Sequence, residues 1–181
     1  MILYGMGNHE SRMLSDEGKH PDAVRRFRTL TEALDVRILD ERAVTLRDGS
    51  GSVRVSGVTL PDEYYEKGRK KTPEVPLFSN GMISPGILNV AMVHSPLYME
   101  EAVKEGADLV LSGHFHGGTI YLGKLGGLMT PQLGFFEKRV RGMFHYGTGA
   151  GIVSAGLGTH SIKLRLNNKP EIVCITLRKG S

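Results

Sequence analysis

Residues 109–118 read LVLSGHFHGG, and this stretch gives the strongest indication of the fold and the chemistry. An apolar run ends in a polar turn that carries His114 and His116 among glycines. In an extended segment side chains alternate, so we expect both histidines to point the same way and Phe115 to point inward. Two imidazoles held side by side predict a metal site. The plainer interpretation is two surface histidines in a glycine-rich turn.

Two other places in the chain repeat this order of an apolar run followed by polar ligand-type residues. Residues 90–93 lead into His94, and residues 2–4 lead into Asn8 and His9. In open α/β sheets, sites form at the carboxyl ends of the strands. We therefore expect three neighbouring strands to bring these side chains to one rim of a shared sheet. Nitrogen and oxygen donors without thiolate suit Mn, Fe, Zn or Co.

The order of elements predicts a mixed α/β fold in a single domain over residues 1–181. Helical spacing of apolar residues predicts helices over 21–34 and 97–105, the first opening at Pro21. Cys174, the one cysteine, is expected to be buried in the last strand. The predicted strands cover residues 36–39, 43–47, 53–60, 87–93, 109–111, 152–155, 162–166 and 172–177.

Composition excludes several classes of protein. A chain of 181 residues with 40% apolar and 23% charged residues can build a core and is not disordered. No run approaches the roughly 20 apolar residues of a membrane span. We expect a soluble chain, cytoplasmic by default. The net charge is +4, and the basic residues form no long stripe, so no nucleic-acid partner is expected.

The polar turns also resemble a known family. Gly7-Asn8-His9-Glu10, the strand-end His94 and Gly113-His114-Phe115-His116 resemble the third, fourth and fifth blocks of the calcineurin-like metallophosphoesterases. The two glycines after His116 and the segments 154–159 and 165–171 are similar to a bacterial branch of membrane-associated phosphodiesterases and lipid-sugar pyrophosphatases. The resemblance implies a partial calcineurin-like metallophosphoesterase sandwich, with mixed β-sheets flanked by helices.

The resemblance implies a role for each residue of these blocks. Asn8, His94 and His114 would hold one metal, and His116 would belong to a second. His9 would act as general acid to the leaving oxygen or stabilise the transition state. The implied reaction is hydrolysis of a phosphate mono- or diester by a hydroxide bridging the metals, and a lipid-linked ester is one candidate substrate. Relatives of this branch are often membrane-associated.

This chain departs from the family at its beginning. The family's Asp-x-His and Gly-Asp blocks precede the Gly-Asn-His-Glu block, whereas only seven residues precede Asn8. We therefore expect a truncated chain that lacks the amino-terminal strands and most ligands of the second metal. One metal or none would bind, and hydrolysis would be impaired. Two alternatives stay open: a non-catalytic fragment that folds and oligomerises, and a mononuclear metal-binding module.

The same departure predicts a partner. Loss of strands from a sheet exposes an edge or an apolar face, so we expect a homo-oligomer that covers it. Separately, residues 119–147 mix apolar side chains with Lys124, Lys138, Arg139 and Arg141. This region is either a hairpin that caps the sheet or an amphipathic lip that faces lipid.

Overall fold

The computed structural model describes residues 1–49, 51–68, 71–159 and 165–178. The described residues include 3₁₀ turns at Asp62–Tyr65, Pro96–Tyr98 and Gly123–Leu125. The α-helices are α1 (Asn8–Ser15), α2 (Pro21–Ala33) and α3 (Met99–Lys104). The strands are β1 (Ile2–Gly5), β2 (Val36–Leu39), β3 (Arg42–Asp48), β4 (Gly51–Val58), β5 (Leu88–Val93), β6 (Leu109–Ser112), β7 (Gly127–Met129), β8 (Phe135–Glu137), β9 (Gly142–Tyr146) and β10 (Gly149–Val153).

The main sheet has six strands in the order β3-β4-β5-β6-β10-β9. The four inner strands run parallel, and the two edge strands pair antiparallel to their neighbours. The predicted mixed α/β architecture is confirmed. Because β5 and β6 are parallel neighbours, their carboxyl ends lie at the same edge of the sheet, where the polar turns begin.

One face of this sheet is well covered. The inward residues of β5, Ala91 and Val93, are fully buried and pack with Val110 and Val153 of the neighbouring strands. Helix α3 lies over this face against β5, β6 and β10. This side therefore supplies most of the hydrophobic stabilisation of the described chain.

The opposite face is covered by a second, two-stranded sheet of β1 and β2, which pair in parallel. Leu3 and Leu39 of this small sheet join the second apolar cluster on that face. At Gly57 any side chain would overlap the carbonyl oxygen of Leu39, so glycine permits β2 to approach β4 closely. The small sheet leaves Met92, Leu111 and Ile152 only partly buried.

The expectation of three strands in one shared sheet is wrong for β1. It pairs with β2 alone among the described residues and packs on the main sheet rather than extending it. The ends of β1 and β5 nevertheless meet, because Gly5 lies against the side chain of Met92. Packing between sheets, which strand periodicity does not encode, brings the polar turns together.

Most predicted elements are present. The helix expected over 21–34 is α2, and the strand expected over 36–39 is β2. The helix expected over 97–105 is a 3₁₀ turn followed by the short α3. Helix α1 and strand β9 were not predicted. The hairpin of β7 and β8 lies in the region 119–147, for which a hairpin was one of the two interpretations. That residues 1–181 form a single domain stays a prediction.

The predicted closing strand over 172–177 is wrong. This segment has no strand pairing within the described residues, and Ile172 is 82% exposed. Cys174 is exposed rather than buried. A strand needs hydrogen-bonding partners as well as β-branched residues, and no described strand lies beside this one. Residues 160–164 are not described, so most of the strand predicted over 162–166 lies outside the described residues.

Candidate metal centre

His94 and His114 lie side by side at the carboxyl edge of the main sheet. His94 follows β5 and His114 follows β6, the neighbouring parallel strand. Their ring centroids are 5.2 Å apart, and the ring planes meet at 65°. The backbone N–H of Gly113 donates to the carbonyl oxygen of His94 at 3.1 Å, which fixes the relative position of the two strand ends. Two of the predicted ligands, His94 and His114, therefore lie next to each other. We call the place where they meet the corner.

The turn that carries His114 and His116 is not extended, contrary to the expectation from side-chain alternation. Both residues have left-handed backbones, with φ of 60° and 49°. The N–H of Phe115 donates to the carbonyl of Gly113 at 2.6 Å, and the N–H of Gly118 donates to the carbonyl of Phe115 at 2.7 Å. Two tight turns therefore follow one another. Phe115 is buried as predicted. Left-handed non-glycine residues are strained, and such strain gathers at functional sites.

The segment 165–171 holds this turn in place. Asn168 Nδ2 donates to the carbonyl oxygens of His116 and Gly118, both at 2.7 Å. Arg165 Nη2 also donates to the His116 carbonyl, at 3.2 Å. A side chain at Gly117 would collide with the amide of Asn168. The motif noted in the sequence thus has a structural function, which is to fix the backbone of the histidine turn.

Asn8 reaches the same corner from the start of α1. It is 4% exposed, and no described residue offers a hydrogen bond to its Oδ1. A Cβ atom placed on Gly7 would lie 3.1 Å from Nε2 of His94, so the glycine lets α1 approach that imidazole closely. His9 is exposed beside it. A buried amide oxygen facing no donor within the described chain is consistent with a ligand position.

The charges of His116, His9 and Glu10 all reach His94. Burial is the largest influence and lowers the pKa of His94 to about 4; Glu10 opposes this, and His116 and His9 lower the pKa further. His94 is therefore neutral at pH 7. A neutral imidazole is the form that binds metal ions.

The sequence had indicated no functional role for two residues near this corner, Tyr65 and Glu10. The ring of Tyr65 lies 5.0 Å from that of His114 and 6.1 Å from that of His94. Burial raises the pKa of the Tyr65 hydroxyl. Glu10 belongs to the quoted Gly-Asn-His-Glu block, which was the available signal for it. Tyr65 sits in a proline- and glycine-rich stretch with no such signal.

Curated proteins match this chain. It is 34% identical over 96 residues to the Bacillus subtilis protein named uncharacterized metallophosphoesterase YkuE, covering 53% of this chain and 33% of that protein. It is 26% identical over 179 residues to uncharacterized metallophosphoesterase YkoQ of Bacillus subtilis, covering 93% of this chain and 58% of that protein. An uncharacterized metallophosphoesterase of Aquifex aeolicus is 36% identical over 94 residues, 51% of this chain and 34% of that protein.

The chain is therefore similar to proteins that are named metallophosphoesterases. The mixed sheet flanked by helices agrees with a partial metallophosphoesterase fold. No protein-family model matches the chain, and no solved structure matches it. The chain spans between one third and three fifths of the length of these metallophosphoesterase relatives.

The donor atoms at this corner fit a metal ion only in part. His94 and His114 lie together, and Asn8 follows Gly7, which lies against the ring of His94. Their nitrogen and oxygen atoms suit a divalent metal. Within the described ranges, however, no group of three or more His, Cys, Asp or Glu side chains is placed to hold an ion. The four predicted ligands therefore form an incomplete set.

A cleft opens beside these donors. Its volume is about 190 Å³. It lies where the end of β1 faces the ends of β5 and β6. The lining residues are Gly5, Met6, Met92, Val93, His94, Leu111, Ser112 and Gly113. A small anionic group entering this cleft would meet His94 at its wall.

The depressed pKa of His94 predicts a loss of stability in acid. Its folded pKa of about 4 lies below the ordinary value of 6.5, so the unfolded chain binds more protons between these values. Stability from this residue is complete above pH 6.5 and falls towards pH 4, by up to about 3 kcal/mol. Urea unfolding with a chelator present should show a steeper loss for the native chain than for His94→Gln. If the free energy of unfolding fell equally steeply with pH in the native chain and in His94→Gln, His94 would not be the cause of the acid sensitivity.

No helix in the described part of the chain has the length and apolar character of a membrane span.

Proposed function

We propose that this chain carries part of a metal-dependent phosphoesterase site, acting on a phosphate mono- or diester. The observation that carries the proposal is the pairing of His94 and His114. The buried oxygen of Asn8, which has no hydrogen-bond partner within the described residues, adds a candidate third donor. A cleft lined in part by His94 adjoins the pair. The names of the relatives support hydrolysis of phosphate esters as the reaction class.

Each residue has a distinct task in this proposal. Asn8, His94 and His114 hold one metal of the Mn, Fe, Zn or Co type, and His116 is a donor to a second. Bound metal ions lower the pKa of water and neutralise charge on phosphoryl oxygens. His9, which is exposed next to Asn8 in the chain, would give a proton to the leaving oxygen. An imidazole exchanges protons readily near neutral pH.

The incomplete donor set limits what the isolated chain can do. Three protein ligands and water suffice for one catalytic-type metal. Within the described residues, however, no group of three or more His, Cys, Asp or Glu side chains is placed to hold an ion. We therefore propose weak binding of a single metal and slow hydrolysis. The alternatives are a chain that folds without turnover and a module that binds one metal without hydrolysis.

Hydrolysis of bis(p-nitrophenyl) phosphate with added Mn²⁺ tests the proposal. We expect slow, metal-dependent release of nitrophenol by the native chain and background release by His114→Ala. The matched control is His145→Ala, an exposed histidine on β9. Undiminished release by His114→Ala would refute the assigned site. Background release by the native chain would favour the two alternatives. A measurement of metal binding would then distinguish a module that binds one metal from a chain that only folds.

We also propose that a second copy of this chain covers the partly open face of the main sheet. The apolar segment 172–177 is unpaired within the described chain, with Ile172 82% exposed and Leu177 48% exposed. On β1, Ile2 is 49% exposed, and β2 pairs with one edge of that strand. An unpaired β-branched segment and an available strand edge are complementary. If segment 172–177 of each copy paired with the edge of β1 in the other copy, both the segment and the strand edge would gain hydrogen-bonding partners.

A further inference from the structure

Tyr65 is a buried aromatic residue that contacts both histidines of the corner from outside their strands. Its ring centroid lies 5.0 Å from that of His114, with the ring planes at 61°, and 6.1 Å from that of His94. The residue is 6% exposed and ends the 3₁₀ turn Asp62–Tyr65. An element remote in the sequence from β5 and β6 therefore packs on both imidazoles.

The imidazole of His114 is surrounded by aromatic rings. The rings of Tyr65, His94 and Phe115 lie at centroid distances of 5.0, 5.2 and 5.5 Å from it, and His114 is 6% exposed. Tyr65 meets it edge to face, which is an arrangement that aromatic pairs prefer. His94 and Phe115 belong to the same sheet edge and the same turn as His114. Tyr65 thus holds the imidazole against the strand ends from a separate part of the fold.

The turn that carries Tyr65 is itself fixed from two directions. Gln132 Nε2 donates to the backbone carbonyl oxygens of both chain neighbours of Tyr65, at 3.1 and 3.3 Å. Arg12 Nε, on α1, donates to Asp62 Oδ1 at 2.9 Å. Because its backbone is held on both sides, the ring of Tyr65 cannot easily move aside when an imidazole turns. It therefore restrains the imidazoles.

The ring of Tyr65, rather than its hydroxyl, is the part that acts on the histidines. The hydroxyl oxygen is buried and has no hydrogen-bond partner among the described residues. Burial raises the pKa of this hydroxyl above its ordinary value of about 10, so the group is neutral near pH 7. A neutral side chain that makes no hydrogen bond to either imidazole affects them through packing.

The orientation of an imidazole decides whether it can bind a metal ion. The ion binds to the lone pair of the unprotonated nitrogen, which lies in the plane of the ring, so a ring that turns carries its donor atom away. At His114 the backbone is left-handed, with φ of 60°, a conformation that persists only when surrounding contacts impose it. Groups that orient metal-binding imidazoles commonly change metal affinity by about ten- to a hundredfold.

We propose that Tyr65 is a positioning residue, whose aromatic ring fixes the ring planes of His114 and His94. The effect is present without metal, because packing sets the ring planes before an ion binds. The role requires the ring and not the hydroxyl, so phenylalanine replaces tyrosine here and leucine does not. An effect on metal affinity follows, and this part rests on the function proposed above.

Three variants of the full chain separate the ring from the hydroxyl and from general packing. Tyr65→Phe keeps the ring and removes the hydroxyl, whereas Tyr65→Leu keeps an apolar side chain and removes the ring. The matched control is Tyr64→Leu, which removes the neighbouring buried ring of the same turn. That ring packs on Tyr98 at a centroid distance of 5.2 Å. Circular dichroism establishes that each variant folds.

Nuclear magnetic resonance of the metal-free chain gives the first readout. The native chain should show nuclear Overhauser contacts between the rings of Tyr65 and His114 and one sharp set of His114 ring signals. Tyr65→Phe and Tyr64→Leu should keep the sharp set, and Tyr65→Leu should show broadened or doubled signals. Missing contacts in the native chain, which needs no variant to fold, would overturn the proposal. So would sharp signals in Tyr65→Leu, or equal broadening in Tyr64→Leu.

Calorimetric titration with Mn²⁺ gives the second readout. Tyr65→Leu should bind the ion about tenfold more weakly than the native chain, whereas Tyr65→Phe and Tyr64→Leu should bind it as the native chain does. Equal weakening in Tyr65→Phe and Tyr65→Leu would assign the effect to the hydroxyl and contradict the role of the ring. A native chain that binds no Mn²⁺ would remove the proposed function, and the ring signals of the metal-free chain would still decide the role of Tyr65.

Discussion

Replacing His114 with alanine is expected to weaken Mn²⁺ binding by roughly a hundredfold or more, because it removes one of three donors. His94→Ala should have a comparable effect, since its ring lies 5.2 Å from that of His114 and shares the corner. Isothermal titration calorimetry of the native chain should give a single weak site. Asn8→Ala should weaken it less, because a neutral amide oxygen is a poorer ligand than an imidazole.

The controls for this titration are His20→Ala and His145→Ala, which replace two exposed histidines that carry no role in the proposed site. They should bind Mn²⁺ as the native chain does. Two tight sites per chain would contradict the incomplete donor set. Equal losses in all four histidine variants would show that binding is adventitious.

The second large effect is expected in the mass of the chain in solution. Light scattering after gel filtration should give a dimer or a larger assembly, because the apolar segment 172–177 and the face at Met92, Leu111 and Ile152 are incompletely covered. Ile172→Ser with Ile175→Ser should shift the mass to that of a monomer. These residues are 82% and 36% exposed, so the substitutions should cost the folded monomer little.

The control is Leu30→Ser with Leu34→Ser, which removes two exposed apolar side chains at the end of α2. It should leave the mass unchanged. If the native chain is a monomer at every concentration, a second copy does not cover the partly open face of the main sheet. An assembly unaffected by the isoleucine substitutions would place the contact elsewhere.

The parts of the fold that the sequence predicted are those fixed by local pattern. Helix α2 follows from its proline start and helical spacing of apolar residues, and β5 and β6 follow from continuous apolar runs. The neighbouring strand ends carry His94 and His114, so their meeting follows from parallel pairing. Placement of these two residues therefore needed only information within each segment and one topological rule.

The parts that the sequence did not predict depend on distant contacts. The left-handed backbone at His114 and His116 depends on turns that Asn168 and Arg165 stabilise from some fifty residues away. Tyr65 meets the histidines through a turn held to α1 by the ion pair of Arg12 and Asp62, at 2.9 Å. Neither arrangement has a signature in local periodicity.

The segment 172–177 also shows that local composition alone does not determine whether a strand forms. Its β-branched residues have the composition of a buried strand, and strand propensity expresses fit to a half-buried, paired surface. Without a described partner strand the segment stays exposed, with Ile172 at 82%. Composition therefore predicted a tendency to pair, but no strand of the described residues pairs with this segment.

The most direct test of the metal centre is nuclear magnetic resonance of the histidine side chains during addition of substoichiometric Mn²⁺. The paramagnetic ion broadens the signals of nuclei close to it. We predict that the imidazole signals of His94 and His114 broaden first, while those of His20 and His145 stay sharp. Broadening that spares His94 and His114, or that falls equally on all assigned histidines, would contradict a shared metal corner at the ends of β5 and β6.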